Sequence, residues 1–119
     1  MAKGGMLMGG VGLDSYNKLI QYIDIFITTV ERILSDDYGE VYYINPDETL
    51  LNIKPAVFRQ ALAENQTDNV QDCLSVFKRL KLIKADSKVN TSVQWTGHKA
   101  ERVIAVDYEV FNMIKELKN

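Results

Sequence analysis

The sequence contains few of the residues from which catalytic, metal and disulfide sites are built. It has one cysteine, one histidine and two prolines among 119 residues. The single cysteine, Cys73, excludes an internal disulfide and a cysteine-rich zinc site, so a reducing, cytoplasmic setting is expected. No serine, cysteine or paired carboxylate accompanies His98 at a catalytic spacing. The sequence therefore predicts no enzymatic activity, no metal site and no cofactor.

Long hydrophobic runs are also missing. The longest apolar stretch, residues 4–13, is short and rich in glycine, and the later run at residues 25–27 is preceded by Asp24 and followed by two threonines. Neither run has the length of a membrane-spanning helix, and the first lacks the cleavage site of a signal peptide. The sequence therefore predicts a protein with no membrane partner.

Glycine is concentrated in one segment. Five of the seven glycines lie in residues 1–12. Ordering a glycine costs more conformational entropy than ordering any other residue, so this segment is expected to be a flexible arm. It lacks the Gly-Lys-Ser/Thr end of a phosphate-binding loop, which argues against nucleotide binding there. The remaining residues, 13–119, have the length and composition of one domain, since 46% of the chain is hydrophobic and 25% is charged.

The first part of that domain has the spacing of a long helix. Apolar residues recur at steps of three and four between about residues 14 and 36, which predicts an amphipathic helix. Tyr22 and Ile25 broaden its apolar face beyond one stripe, and this breadth indicates burial on two sides. We expect a second copy of the protein to cover the second side, which would make the chain a homodimer.

The rest of the domain divides into short strands and short helices. Changes of period and turn signals predict elements at residues 41–44, 49–53, 55–64, 68–80, 82–83, 89–95, 102–107 and 108–118. Asp68 followed by Gln71 has the spacing of a capping box, which marks the start of the helix at 68–80. The predicted fold class is α+β, mainly α, with a small antiparallel sheet.

Burial is predicted for one apolar face of each element. The expected core residues are Leu19, Ile23, Phe26, Val30, Phe58, Leu62, Val70, Leu74, Phe77, Leu80, Ile104 and Val106. Trp95, the only tryptophan, either packs back onto the sheet or stands out as a contact residue. Its pattern favours packing.

Three segments carry a resemblance to a known family. They are residues 53–62 (IKPAVFRQAL), 68–83 (DNVQDCLSVFKRLKLI) and 102–106 (RVIAV). With two short helices followed by a long hairpin, the chain resembles the winged helix-turn-helix DNA-binding superfamily over about residues 49–107. The resemblance implies a recognition helix at about residues 68–80, a wing at about residues 82–107, and helices added at both ends.

Charge is distributed unevenly along the chain. The whole chain carries −2, but residues 78–102 hold seven basic and two acidic side chains, net +5, which leaves −7 elsewhere. Such a pole is the electrostatic footprint of a phosphate-binding face. The alternative is a solvated hairpin whose lysines protect an exposed edge from aggregation.

The resemblance and the charge together predict a surface for double-stranded DNA. The residues expected to neutralise phosphates are Lys78, Arg79, Lys84, Lys88, Lys99 and Arg102. Asn69, Gln71 and Ser75 are candidates for base edges, and Thr91, Gln94 and His98 for the adjoining groove or backbone. Asp68 and Asp72, at the start of the recognition helix, either face phosphates at a cost or simply favour the helix N-terminus.

Two functions follow from these features. The first is non-enzymatic DNA binding, either in transcription control or as an accessory factor in the replication or conjugative transfer of a mobile element such as a plasmid. In this function a protein partner in a nucleoprotein complex is also possible. The second is a winged-helix adaptor that recognises protein and not DNA. The basic segment favours the first function, whereas the acidic whole-chain charge favours the second.

Overall fold

The computed structural model of the protein describes residues 9–35, 38–65 and 69–118. The elements in chain order are α1 (Gly9–Leu34), β1 (Tyr42–Ile44), β2 (Leu50–Ile53), α2 (Pro55–Asn65), α3 (Val70–Arg79), β3 (Ile83–Lys84), β4 (Ser92–Trp95), β5 (Ala100–Asp107) and α4 (Tyr108–Lys118). The described residues therefore form an α+β fold with a small antiparallel sheet, as predicted.

The helices begin close to their predicted positions, with two differences. α1 begins at Gly9, not residue 14, so residues 9–12 of the predicted arm are helical; residues 1–8 lie outside the described part of the chain. The N-cap of α3 is Asn69, whose side-chain oxygen accepts from the Asp72 N–H at 3.1 Å. Asp68, the N-cap of the predicted capping box, also lies outside the described residues.

One antiparallel sheet organises the chain after α1. Its strand order is β1-β2-β5-β3, and β4 pairs with β5 further along that strand. β2 pairs with the C-terminal half of β5, from Leu50↔Asp107 to Ile53↔Ile104. β5 is therefore the central strand, and it connects the helical part of the domain to the β4–β5 hairpin.

β3 and β4 form one strand interrupted by a loop. Lys84 pairs with Ala105 and Ser92 pairs with Val103, so the seven residues 85–91 stand opposite a single residue of β5. We call residues 85–91 the insertion loop. The loop places a second wall beside α3, and the hairpin begins immediately after it.

The core lies between the helices and one face of the sheet. Its largest fully buried side chains include Phe26, Phe58, Phe77 and Phe111. The Phe77 ring meets Phe26 and Phe58 edge to face, at centroid distances of 5.3 and 6.4 Å. Cys73 is also in this core, and burial raises the pKa of its thiol, so the sulfur stays protonated near neutral pH.

One predicted core residue, Leu19, is exposed, and so is Trp95, for which packing was the favoured of two interpretations. Leu19 is exposed because it lies on the first half of α1, ahead of the part that packs on the core. Trp95 is 52% exposed because β4 packs on β5 and has no extensive contact with any helix that the structure describes. The other predicted core residues are buried or, for Ile23, Val70 and Leu80, partly buried against the core.

Candidate nucleic-acid interface

A groove of about 900 Å³ lies between α3, β3 and the insertion loop. Its lining residues are Arg59, Gln71, Ser75, Lys78, Arg79, Lys81, Ile83, Lys84, Ala85, Ser87, Lys88, Val89 and Asn90. Six of these residues are lysine or arginine, and none is aspartate or glutamate. We call this surface the basic groove.

One wall of the basic groove is the solvent-facing side of α3. Gln71, Ser75 and Lys78 follow one another at steps of four and three, which places them on one side of a helix. Cys73 and Phe77 occupy the opposite, buried side. The amphipathic pattern of α3 therefore presents a polar row to the groove.

Lys78 holds the other wall of the groove in place. Its ammonium nitrogen donates to three backbone carbonyl oxygens of the insertion loop, those of Asp86 (2.6 Å), Ser87 (2.9 Å) and Val89 (2.8 Å). An ammonium has three donors, and these contacts use all of them. Lys78 therefore ties the insertion loop to α3, and its charge is already partnered within the protein.

A second cation holds the insertion loop from the sheet. Arg102 Nη1 lies 2.9 Å from Asp86 Oδ2 and also donates to the carbonyl and hydroxyl oxygens of Thr91, at 3.3 and 3.2 Å. The Asp86 N–H donates to the Thr91 carbonyl oxygen at 3.0 Å, which closes the base of the loop. Arg102 and Thr91 are therefore contacts that shape the loop.

The remaining cations of the groove differ from these two. Arg59, Arg79, Lys81, Lys84 and Lys88 are exposed, and their side chains make no hydrogen bond or ion pair with any other residue that the structure describes. Among the described residues no carboxylate lines the groove, and the nearby Asp86 of the insertion loop is paired with Arg102, so the potentials of these cations add. The groove therefore presents five open positive charges to solvent.

Lys81 occupies a backbone position that usually belongs to glycine. Its φ is +65°, and it follows α3 where the Leu82 N–H donates to the Phe77 carbonyl at 2.9 Å and the Lys81 N–H donates to the Lys78 carbonyl at 3.1 Å. This pair of bonds is a Schellman motif. A non-glycine residue in this conformation costs about 1 to 2 kcal/mol. The chain therefore keeps a lysine in the groove at a cost in stability.

The structure brings six of the twelve predicted contact residues into the basic groove: Gln71, Ser75, Lys78, Arg79, Lys84 and Lys88. Asn69 lies at the start of α3, where its side chain acts as the N-cap. Arg102 and Thr91 hold the insertion loop, as described above. The other three predicted residues, Gln94, His98 and Lys99, lie elsewhere.

Gln94 belongs to the opposite face of the sheet from Trp95, because neighbouring residues of a strand point to opposite faces. Its side-chain nitrogen lies 3.2 Å from the Ser92 hydroxyl oxygen. His98 and Lys99 line a separate cavity beneath the turn of the hairpin. None of these three residues lines the basic groove.

Two exposed apolar side chains continue the surface along the hairpin. Val93 is 53% exposed and Trp95 is 52% exposed. Val93 pairs directly with Arg102, so the three side chains share the sheet face that the insertion loop adjoins. The indole ring of Trp95 therefore lies on the same sheet face as Arg102, which holds the insertion loop.

Sequence reasoning missed two residues of the groove. Arg59 is remote in sequence from the basic segment at residues 78–102, and only the packing of α2 beside α3 brings it to the groove. Because Arg59 directly follows the buried Phe58, the sequence predicts that Arg59 is exposed, but it does not show which residues lie beside it in the fold. Lys81 lies inside the basic segment, but its direction depends on the turn that ends α3.

Neither a comparison with models of known protein families nor a search for curated relatives found a match. Within residues 9–35, 38–65 and 69–118, no helix has the length and apolar character needed to cross a membrane. Over the same residues, no three histidine, cysteine or acidic side chains converge as metal ligands. The basic groove is thus interpreted from its own geometry.

Proposed function

We propose that the protein binds double-stranded DNA through the basic groove and has no enzymatic activity. The observation that carries this proposal is the set of five exposed cations that converge on one groove, which no carboxylate of the described residues lines. Duplex DNA presents about one negative charge per 1.7 Å of helix axis, and binding releases its condensed counterions. A groove of unpaired cations therefore gains binding free energy from contact with duplex DNA.

The order of elements supports a winged helix-turn-helix fold for this function. A strand (β2) precedes two helices (α2 and α3), and an antiparallel hairpin follows and returns as β5 to pair with that strand. In this interpretation α3 is the recognition helix and the β4–β5 hairpin is the wing. α1 and α4 are additions at the two ends.

The groove residues divide into two roles. Arg59, Lys81, Lys84 and Lys88, together with Arg79, neutralise phosphates because their charges are exposed and unpaired. Gln71 and Ser75 lie on the same side of α3 and are the candidates for base edges. Lys78 and Arg102 act indirectly by holding the insertion loop, and Asn69 acts chiefly as the helix cap.

The biological role that fits this activity is control of transcription, or an accessory part in the replication or transfer of a plasmid or other mobile element. A protein partner in a nucleoprotein complex is compatible with the exposed Val93 and Trp95 on the hairpin. The second candidate, an adaptor that recognises protein alone, is favoured by the same two apolar side chains. The basic groove has no role in that alternative, so the two functions are separable.

Salt dependence of DNA binding tests the proposal directly. We expect the affinity for a short mixed-sequence duplex to fall steeply between about 50 and 200 mM salt, with about 0.9 in log–log slope per phosphate contact. The double variant Lys84→Gln/Lys88→Gln should lose close to two contacts and lower the slope by about 1.8. The matched control is Lys54→Gln/Lys99→Gln, which removes the same charge from the other cavity and should leave the slope unchanged.

Equal slopes for the parent and the groove variant would contradict DNA binding through the groove and leave the adaptor function in its place. A second comparison separates residues that contact phosphates from residues that recognise the base sequence. Gln71→Ala should reduce the difference in affinity between preferred and random sequences, whereas the lysine variant should weaken all sequences alike.

We further propose that the protein is a homodimer that pairs through α1. Tyr16, Leu19 and Ile20 are exposed on the first half of this helix, and Ile23 continues the same side into the core. Tyr16, Leu19 and Ile20 carry the argument. Tyr22 and Ile25, which broadened the predicted apolar face, do not, because both pack against the protein's own core. A second α1 is the partner with the same length and the same apolar spacing.

Sedimentation at tens of micromolar tests the dimer, and we expect a mass of two chains. Ile20→Lys should produce a monomer because it places a charge in the apolar strip. Val93→Lys, an equally drastic change on the hairpin, should remain dimeric. A monomeric parent protein would contradict the dimer without bearing on the groove.

A further inference from the structure

The apolar side of α1 forms one continuous row of side chains. Its members recur at alternating steps of four and three residues, the 3.5-residue spacing of a helix that pairs with another helix. We call this row the α1 seam, and its residues are Tyr16, Ile20, Ile23, Ile27, Val30 and Leu34. Ile27 and Val30 are buried, whereas Tyr16 is 59% and Ile20 is 40% exposed. The seam is therefore covered in the second half of α1 and uncovered in the first half.

α4 covers the second half of the seam and ends where the cover ends. On one flank of the seam, Phe26 meets a phenylalanine ring of α4 edge to face, with 6.3 Å between the ring centroids. On the other flank, Lys115 of α4 lies 3.4 Å from Glu31. Lys118, the last residue of α4, pairs with Asp24. α4 therefore lies over the seam from Asp24 onward, and no described element covers the seam residues that come before it.

The uncovered part of the seam is large enough for a contact between chains. Tyr16, Leu19 and Ile20 together expose on the order of 300 Å² per chain, a size at which an apolar patch on a monomer is often functional. A second α1 has the same spacing and lacks the same cover. One contact between two copies therefore removes both patches from water.

The position of α4 decides the direction in which two copies can pair. Parallel helices that overlap in their first halves would also bring their second halves side by side, and the two α4 helices would compete for the space over the seams. In an antiparallel pair, each α1 runs past the start of its partner and away from the partner's α4. Only the uncovered halves then overlap, and the opposed helix dipoles favour the same direction.

We propose that two chains pair antiparallel through the first halves of α1, with Tyr16 of each chain packed against Ile20 of the partner subunit. The inference rests on the homodimer proposed above and adds its direction and its register. Alternate seam positions face each other in antiparallel helices, which places the two-fold axis near residue 18. Leu19 lies beside this axis. Gly9, Gly10 and Gly12, at the start of α1, have no side chain to collide with the end of the partner's α4.

This arrangement keeps the two basic grooves apart. Among the described residues, none from α1 lines the groove, so pairing leaves its cations open. The core-packed half of α1 is centred near residue 28, about ten residues or about 15 Å from the axis. The two domains therefore lie about 30 Å apart along the shared helix direction, and the dimer offers two separate grooves to one duplex.

Mixed cysteine variants test the direction of pairing. Tyr16→Cys and Ile20→Cys are prepared separately, combined and oxidised, while Cys73 stays buried in the core. We expect the disulfide between the two variants to form about tenfold faster than the disulfide within either variant, because position 16 lies opposite position 20. The matched control combines Lys18→Cys with Gln21→Cys, which are exposed away from the seam and should not cross-link.

A spin-label distance measurement leaves the seam intact. A label on Arg32→Cys, an exposed position on the second half of α1, should give a distance of about 40 Å between the two chains. Parallel pairing would bring the two labels within about 20 Å, because the helix axes would lie only about 10 Å apart. A short label distance, or faster cross-linking within each cysteine variant than between them, would overturn the antiparallel pair but leave the homodimer. A monomeric parent would overturn both, and neither result bears on DNA binding by the groove.

Discussion

The basic groove and the cavity beneath the turn of the hairpin, which His98 and Lys99 line, both take cations from the same basic segment but differ in charge balance. The groove has six basic lining residues and no acidic one, whereas the cavity matches two lysines with two glutamates. Lys84 and Lys88 belong to the first surface and Lys99 to the second. A net charge counted along a segment therefore overstates the binding surface, because folding divides the cations between two sites.

The cations near the groove divide again by their partners. Lys78 and Arg102 bond to the insertion loop, whereas Lys81, Lys84 and Lys88 bond to no other described residue. The first pair builds the wall of the groove, and the other three leave their charge available to a ligand. Replacing Lys78 or Arg102 should therefore mainly lower stability, whereas replacing Lys81, Lys84 or Lys88 should mainly weaken binding.

The largest effect is expected at the core residue beneath the groove. Phe77→Ala removes the ring that packs on Phe26 and Phe58 and leaves a cavity under α3. We expect a loss of about 3 to 5 kcal/mol in the free energy of unfolding, measured by urea denaturation. A loss below about 1 kcal/mol would mean that α3 does not rest on this core.

Lys78→Met tests the distinction between structural and open cations. The variant keeps the aliphatic stem but leaves three carbonyl oxygens of the insertion loop without their donor. We expect a loss of about 1 to 2 kcal/mol, since the ammonium bonds are charged but solvent-exposed, and faster hydrogen exchange in residues 85–91. Lys84→Met, the matched control, should change stability by less than about 0.5 kcal/mol; equal effects of the two would erase the distinction.

Lys81→Gly should raise stability while it weakens DNA binding. Glycine relieves the strain of a φ of +65°, which we expect to add about 1 kcal/mol to the free energy of unfolding. Lys81→Gln is the matched control, because it removes the same charge and keeps the strained backbone. Both variants should lose the same DNA affinity, and only the glycine variant should be more stable; destabilisation by glycine would contradict the assignment.

The smallest effect concerns a carboxylate outside both surfaces. Hydrogen bonds from Tyr38 and Gln60 lower the pKa of Glu64. A carboxyl group whose folded pKa is lowered contributes stability that is present at neutral pH and is lost as the pH falls through that pKa. Unfolding followed from pH 6 to pH 3 should show a slightly shallower acid loss in Glu64→Gln than in the parent, and identical curves would exclude the contribution.

Local sequence signals were sufficient to predict most helices and strands. Pro55 starts α2 and the three-residue apolar steps define α4, because a fixed φ and a helical period act within a few residues. Leu19 shows where such signals fail, since it has the correct period but no neighbour to cover it. The interpretation of Trp95 as a packed residue was wrong for the same reason, because strand alternation indicates the face on which a residue lies but not whether a helix covers that face.

The sequence by itself determined the α+β class, the positions of the helices and the existence of a basic segment, all of which depend on spacing and composition. Only the tertiary structure decided that Arg59 joins the groove, that Lys78 and Arg102 are partnered, and that Asn52 lines a cavity beneath the hairpin. These outcomes depend on which residues distant in sequence become neighbours. A side chain's charge is a property of the residue, but whether that charge is free is a property of the fold.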